Sequence, residues 1–321
     1  MYLIPEQDAA EAVSLEAVVP LMESAFVALA KGEVELLPVA IAAGFSPDAA
    51  FGAKGAIVRS MGLFGFKLGS YWPTNAARGL PGHGSMTILN DPDSGFPMAL
   101  IGAKHISAVR TAALDAIAMR LLSRPDSKTL AIIGAGRQGW QEYLAARLVR
   151  PIARVLVWSR SPAAAQAFAD RISAHHGLAA EVASIEGAVR AADIVITATA
   201  SSLPLVERAW VRAGTHISAL GADTTAKLEL AVDLVASAKL YADVVEQSVT
   251  IGEFKAALAS GLIRREDITP IGSIMQCAGP IRLESDVTVF DSSGTALQDL
   301  VIAKLVLDAV LASGRVTEVE L

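Results

Sequence analysis

Apolar residues first recur at helical spacing. Val18, Leu21, Phe26 and Leu29 line one side of a segment from Leu15 to about Gly32, and Ser14 stands at its N-cap position. Residues 36–110 lose that period. Short alternating apolar runs at Ala56–Ser60, Leu63–Leu68, Ser85–Leu89 and Met98–Ile101 are separated by turn signals at Gly52, Gly69, Pro81-Gly82 and Asn90-Asp91-Pro92-Asp93-Ser94-Gly95. Antiparallel or mixed strands are predicted there. A helix from about Ser107 to Leu122 closes the region, and Ser123–Ser127 reads as a linker.

From Lys128 the pattern alternates strand and helix. Strands are predicted at 129–133, 154–158, 180–183, 193–198, 215–220 and 238–242, with helices at roughly 138–149, 162–176, 184–191, 208–212 and 244–260. That alternation predicts an α/β domain built on a doubly wound parallel sheet. Val287–Gly294 gives one more strand and turn. A last helix, Thr295 to about Ser313, is apolar on more than one side and is expected to pack back on the N-terminal region.

The first parallel strand, Thr129–Ile133, runs into Gly134-Ala135-Gly136-Arg137-Gln138-Gly139, an unbroken G-x-G-x-x-G with a helix directly after it. A dinucleotide pyrophosphate needs that order: a tight turn, a close backbone approach, a small residue where helix meets strand, and free N–H groups at the helix N-terminus. The motif sits mid-chain, so the residues before it have another task.

Composition narrows the partners. The chain has 321 residues, 53% hydrophobic and 19% charged, with a formal net charge of -6. It is long enough for two cores, apolar enough for a subunit interface, and without a polybasic face for nucleic acid. The lone cysteine, Cys277, excludes a disulfide within the chain and is expected to be a small buried side chain. Neither a signal peptide nor a membrane-spanning run is visible, so a cytoplasmic protein with no membrane partner and no metal site is expected.

The end of the second parallel strand meets the adenosine ribose in this kind of sheet, and a carboxylate there accepts from the 2′-hydroxyl. Here the strand ends in Trp158 and continues Ser159-Arg160-Ser161, without an acid. A guanidinium between two hydroxyls suits a 2′-phosphate, so NADP(H) is favoured over NAD(H). Ser161-Pro162 is equally a helix start, which would leave the cofactor open. Thr199 and Gly221, at the ends of later strands, complete the expected cofactor-binding set in this domain.

Four segments place polar groups among apolar neighbours: Lys67 inside an apolar strand, Arg110-Thr111 opening an alanine-rich helix, Asp223 just past a strand of the cofactor domain, and Asp291-Ser292-Ser293-Gly294. Each alone is also explained as a paired structural charge or a turn. A lysine in an apolar strand is costly to bury unpaired and shifts its pKa readily.

Taken together, the Lys67 strand, RTAALDA from Arg110, IIGAGRQG, GADTTAKLEL from Gly221 and VFDSSGTALQDL from Val289 resemble the ornithine cyclodeaminase/mu-crystallin family in order and spacing over nearly the whole chain. The resemblance implies a Rossmann domain, 125–294, inserted into an α+β substrate-binding and dimerisation domain, 1–124 plus 295–321, that pairs across a homodimer. It implies a small imino or amino acid as substrate. Arg110 would bind the α-carboxylate, Lys67 would act as acid/base, Asp223 would sit by the substrate amine and nicotinamide, and Thr111 and Ser293 would line the cofactor.

One departure stands out. Many members carry an arginine shortly after a proline before the lysine strand, where this chain reads Leu37-Pro38-Val39-Ala40-Ile41. Lys54, Arg59 and His83 are the candidate replacements, and each is also explained as a solvated surface charge. These cations suit a second acid group on the substrate. Lys54, the KLGSYWPTN run from Lys67, Gly82-His83 and the stretch from Gln247 to Ile268 are similar to the iminosuccinate reductase-like subgroup. The expected activity is NAD(P)H-dependent reduction of an imino acid, iminosuccinate to aspartate first, with the amino-acid dehydrogenase as its reverse. The alternatives are an ornithine or lysine cyclodeaminase that recycles bound NAD, an alanine dehydrogenase or cyclic ketimine reductase, and a non-catalytic NADPH-binding protein.

Overall fold

A computed structural model describes residues 1–46, 48–277 and 281–320. It divides into two compact units, Met1–Ala113 with Thr295–Leu321 and Leu114–Gly294.

The first unit holds a twisted mixed sheet. Its strands lie in the order Thr317–Glu318, Tyr2–Ile4, Pro97–Gly102, His83–Asn90, Leu63–Tyr71, Ala50–Val58 and Val34–Leu36, with Ala40–Ala43 also on Ala50–Val58. Neighbours are antiparallel except Tyr2–Ile4 beside Pro97–Gly102. The predicted first helix forms as Leu15–Ala30, and Ser14 Oγ accepts from Ala17 N at 3.3 Å. The last helix, Ala296–Ser313, buries Leu297, Leu300, Val301, Ile302, Val306, Leu307 and Val310 and packs on the central strands and on Leu15–Ala30. This explains why it is apolar on more than one side. Gly65 permits the close approach: a Cβ there would lie 2.0 Å from Ile88 O and 3.2 Å from the Leu300 side chain. The opposite face of the sheet is unusual, because Phe51, Phe66, Leu68 and Met86 are exposed on it.

The second unit is a parallel sheet in the order Ala179–Val182, Arg154–Trp158, Thr129–Ile133, Ile194–Thr197, His216–Ala219, Thr288–Asp291, Lys239–Ala242 and Ile268–Pro270. Every pair is parallel. The order steps one way from Thr129–Ile133 to the first edge, and the chain then returns to the other side of that strand. This reversal is the topological switch point at which open α/β sheets bind ligands. Central strands such as Leu130–Ile133 and Ile194–Ile196 are fully buried, the unbroken apolar pattern that a sheet covered on both faces requires.

Three expectations change. The helix before the sheet starts earlier, at Lys104, and runs to Leu122, and the division between the units falls inside it, between Ala113 and Leu114. Ser123–Ser127 is not a loose linker: Ser123 and Ser127 are buried, and the Arg150 guanidinium donates to Met119 O, Arg120 O and Ser123 O. The helix expected over 244–260 is broken into Val245–Ser248 and Lys255–Ala259. The break is made by Glu253, whose backbone N donates to Asp291 Oδ2 at 3.0 Å and whose buried carboxylate accepts from Glu229 N and Leu230 N.

Candidate functional site

In the first unit, Lys54 and Lys67 are direct cross-strand partners, so both side chains leave the same face of the sheet. Like charges so placed repel. The compensation comes from the last helix. Lys67 Nζ donates to Asp299 Oδ1 at 3.1 Å, and Arg110 Nε donates to the same oxygen at 3.0 Å. Arg110 Nη1 donates to Gln298 Oε1 at 3.0 Å, and that oxygen also accepts from Thr295 N at 2.8 Å. The side chains of Lys67, Arg110 and Asp299 are 12%, 9% and 2% exposed. At such depth, removing one partner of an ion pair costs about 3–5 kcal/mol, because the other charge is left uncompensated.

Burial pushes the Lys67 ammonium down to about 8, Asp299 opposes that shift, and Arg110 and Lys54 reinforce it. Burial would raise Asp299, but Arg110, Lys67 and Lys54 outweigh it and hold the carboxyl below its usual range. Around this cluster Thr87 Oγ1, Gln298 Nε2 and Asp299 Oδ2 are buried with no hydrogen-bond partner among the described residues, and Thr87 is the register partner of Lys67. The arrangement can hold an anion on fixed cations and exchange a proton near neutral pH.

The structure separates the other proposed cations. Arg59 does not join the group: its side chain is 66% exposed and pairs with Glu35 at 2.7 Å on the surface. His83 opens its strand, exposed and in register with Tyr71, on the Lys67 face but separated along the strand from Thr87. Lys54 acts on both Lys67 and Asp299. Thr111 is buried, and its hydroxyl donates to Ser107 O at 2.9 Å within its own helix.

In the second unit, Gly134 has φ +127°, and a Cβ there would come 2.5 Å from Ala198 O. A Cβ at Gly139 would lie 2.2 Å from Gly134 O, so helix Arg137–Val149 can start against the turn only with glycine there. Gly136 caps this helix without a side-chain hydrogen bond, and a Cβ on it would meet nothing within 4 Å. Uncovered N–H groups above a flat glycine turn fit a pyrophosphate. Ala135 lies in the turn, Arg137 starts the helix, and Gln138 donates to Glu142 one turn on.

Glu229 joins the next two strand ends. Its Oε1 accepts from Thr199 N and Thr199 Oγ1 at 2.7 and 2.6 Å, and its Oε2 from Thr197 Oγ1 and Gly221 N at 2.7 and 2.9 Å. Asp223, two residues beyond Gly221, has a half-exposed side chain and pairs with Lys227 at 2.5 Å. Ser293 is buried just after the strand Thr288–Asp291. Ser161 Oγ caps the helix Pro162–His176 by accepting from Ala164 N, and Ser159 Oγ accepts from Ser161 N, while Arg160 is exposed. Both hydroxyl oxygens accept from backbone N–H groups at the helix start, and their O–H groups can still donate. Cys277 is exposed, not buried as expected, at the end of a short helical turn.

Asp299, Gln298, Thr87 and Glu229 were not legible as site residues. Asp299 and Gln298 look like ordinary first-turn residues of a helix, where acids and amides are common. Glu229 had a weak signal, an acid in the motif that also holds Asp223.

A parallel sheet with a glycine turn at its switch point in one unit, and a buried lysine–arginine–carboxylate cluster in the other, define a nicotinamide-dependent class of α/β protein. The chain belongs to the ornithine cyclodeaminase/mu-crystallin family, whose profile matches residues 4–314. It is 35% identical over 321 residues to the iminosuccinate reductase of Paracoccus denitrificans, covering 100% of both chains. The crystal structure of that reductase with NAD+ superposes with a TM-score of 0.92, covering 100% of this chain and 99% of the other at 34% identity. The Thermococcus litoralis Δ1-pyrroline-2-carboxylate reductase with NADH and L-proline gives 0.94 at 29% identity, over 99% and 100% of the chains. An archaeal alanine dehydrogenase dimer with bound NAD gives 0.94 at 31% identity, over 100% and 99%. Among the described residues no helix is long and apolar enough to cross a membrane, and no group of acids, histidines and cysteines could hold a metal.

Proposed function

We propose that this protein reduces a small imino acid to an L-amino acid with hydride from a nicotinamide dinucleotide, and that its substrate is the dicarboxylate iminosuccinate, giving aspartate. The observation that carries this reading is the joint placement of Lys54, Lys67 and Arg110 about the carboxylate of Asp299. Three cations gathered at one place suit an anionic ligand with more than one acid group.

Arg110 pairs with the α-carboxylate, and Lys54 takes the distal one. Lys67 passes a proton to the imine nitrogen, which makes the carbon a better hydride acceptor. A reduced nicotinamide dinucleotide held at the Gly134–Gly139 turn would supply the hydride. The C=N π pair passes to nitrogen as the carbon is reduced, giving the amine, and the neutral Lys67 amine regains its proton from water. In reverse, the neutral Lys67 amine takes the proton from the iminium nitrogen once the carbon has been oxidised. Asp223, paired with Lys227, is assigned to the substrate nitrogen by family resemblance.

For the cofactor we infer a preference for NADP(H), supported by exposed Arg160 and the lack of an acid at that strand end. For assembly we infer a homodimer through the sheet face that exposes Phe51, Phe66, Leu68 and Met86, since an apolar patch of this kind marks a protein interface. The archaeal alanine dehydrogenase dimer supports this reading. For location we infer the cytoplasm, supported by a chain with one cysteine and hence no internal disulfide.

The test is an NADPH and NADH oxidation screen with oxaloacetate, pyruvate, glyoxylate and cyclic ketimines, adding ammonia or methylamine where needed. Activity greatest on oxaloacetate with ammonia supports the proposal. Activity only on cyclic imines, or ammonia release from ornithine without net cofactor change, overturns it. Lys67→Ala should cut turnover by orders of magnitude and leave cofactor affinity nearly unchanged.

A further inference from the structure

We propose that Asp299 is a positioning residue of this reaction: one buried carboxylate oxygen that holds the Lys67 ammonium and the Arg110 guanidinium together, so that proton donor and carboxylate clamp keep a fixed separation. This deepens the reading of Lys67 as the acid/base and rests on it.

Three observations support the assignment. Both cations donate to the same atom, Asp299 Oδ1, at 3.1 and 3.0 Å, so neither can move without disturbing the other. The acceptor is itself anchored. Asp299 lies in the first turn of the helix Ala296–Ser313, and its neighbour Gln298 is tied to Thr295 N at 2.8 Å while taking a second bond from Arg110 at 3.0 Å. A helix terminus packed on a sheet through Leu297 and Leu300 is a more rigid support than a loop.

The third observation is electrostatic. The charged groups facing Lys67 are Lys54 from the adjacent strand, Arg110 from the helix Lys104–Leu122, and Asp299 from the last helix. Without Asp299 this closed place would hold three cations. Arg110 cannot release a proton at any ordinary pH, so Lys67 would be the group to lose its own. A neutral Lys67 cannot protonate an imine. Asp299 therefore aims the lysine and also keeps it charged.

The test uses purified full-length Asp299→Asn and Asp299→Glu, with wild type and Lys67→Ala measured alongside. The readout is the pH dependence of imine reduction, with cofactor affinity taken from nicotinamide fluorescence. Asp299→Asn keeps the shape and removes the charge. Its alkaline limb is expected to move down by about one pH unit or more, the scale on which a nearby opposite charge shifts a titration. Asp299→Glu keeps the charge and displaces it. Its limb should stay near that of wild type while kcat/KM falls roughly tenfold or more, as a misplacement of about 1 Å does. Cofactor affinity should not change in either.

A folded Asp299→Asn protein with an unmoved limb overturns the proposal. If that variant does not fold, Asp299→Glu decides: full kcat/KM with the longer side chain means that position is immaterial, and the proposal fails. Failure of the underlying reading looks different, because Lys67→Ala would then retain turnover and the same alkaline limb.

Discussion

Lys67 and Asp299 stand 232 residues apart in the chain and 3.1 Å apart in the fold. The lysine sits mid-strand and the aspartate in the first turn of the last helix, so the contact exists only when that helix lies against the sheet. The depth of the pair gives Lys67 a titration near neutrality that an exposed lysine lacks.

The first prediction concerns pH. Burial brings Lys67 to about 8 from an ordinary 10.5. In the proposed mechanism reduction needs the ammonium, so its rate should be level below about pH 8 and fall roughly tenfold per pH unit above it. Oxidation of the amino acid needs the neutral amine and should rise with pH to the same point. Rate profiles in both directions check this, and opposite limbs sharing one midpoint are expected.

The second separates the candidate cations. Lys54→Met should lower kcat/KM for oxaloacetate with ammonia by about 10–100-fold at pH 7, the cost of one charge-assisted hydrogen bond of roughly 1.5–3 kcal/mol. The value for pyruvate with ammonia should change little. Arg59→Ala should affect neither, because Arg59 is paired with Glu35 at the surface. Steady-state kinetics on both substrates decide between them.

The third concerns cofactor choice. In the proposed preference for NADP(H), the exposed Arg160 guanidinium supplies the charge that meets the 2′-phosphate. Arg160→Ala should weaken NADPH about tenfold and NADH less than twofold. Titration of nicotinamide fluorescence with each cofactor measures the ratio, and equal losses for the two would refute the assignment.

The fourth is a stability effect in the second unit. Burial raises the Glu253 carboxyl well above 4.5, and nearby Glu229 and Asp291 raise it further. Burial also raises Asp291 well above 3.8. A group whose folded value exceeds its unfolded one binds its proton more tightly when folded. Its contribution is therefore full below about pH 4 and is lost as pH rises through the folded value. From these groups Tm should fall as pH rises above the ordinary carboxylate range. Glu253→Gln fixes the neutral form and keeps an oxygen for the Glu229 and Leu230 N–H groups, so it should flatten that fall in calorimetric scans.

Much of the second unit could be read directly. Thr129–Ile133 and Arg154–Trp158 form at their expected bounds, because a strand buried on both faces must be apolar throughout and its ends stand out against polar turns. The strand Tyr2–Ile4 was missed because three residues show no period; its partners Pro97–Gly102 and Thr317–Glu318 create it. The break at Glu253 was missed for a related reason. Its cause is a carboxylate accepting from backbone N–H groups at 229 and 230, far outside any local window.

By itself the sequence determined the glycine turn at Gly134–Gly139, the parallel sheet that carries it, and the placing of Lys67 and Arg110 among apolar neighbours. These are properties of local backbone chemistry or of residue types costly to bury, and both leave a mark on neighbouring positions. Only the tertiary structure decided which groups surround that lysine. It brought in Asp299 and Gln298 from the last helix, kept Lys54 by strand register, and sent Arg59 to Glu35 at the surface. The energy of a buried charge depends on everything within a few ångströms, whatever its distance along the chain.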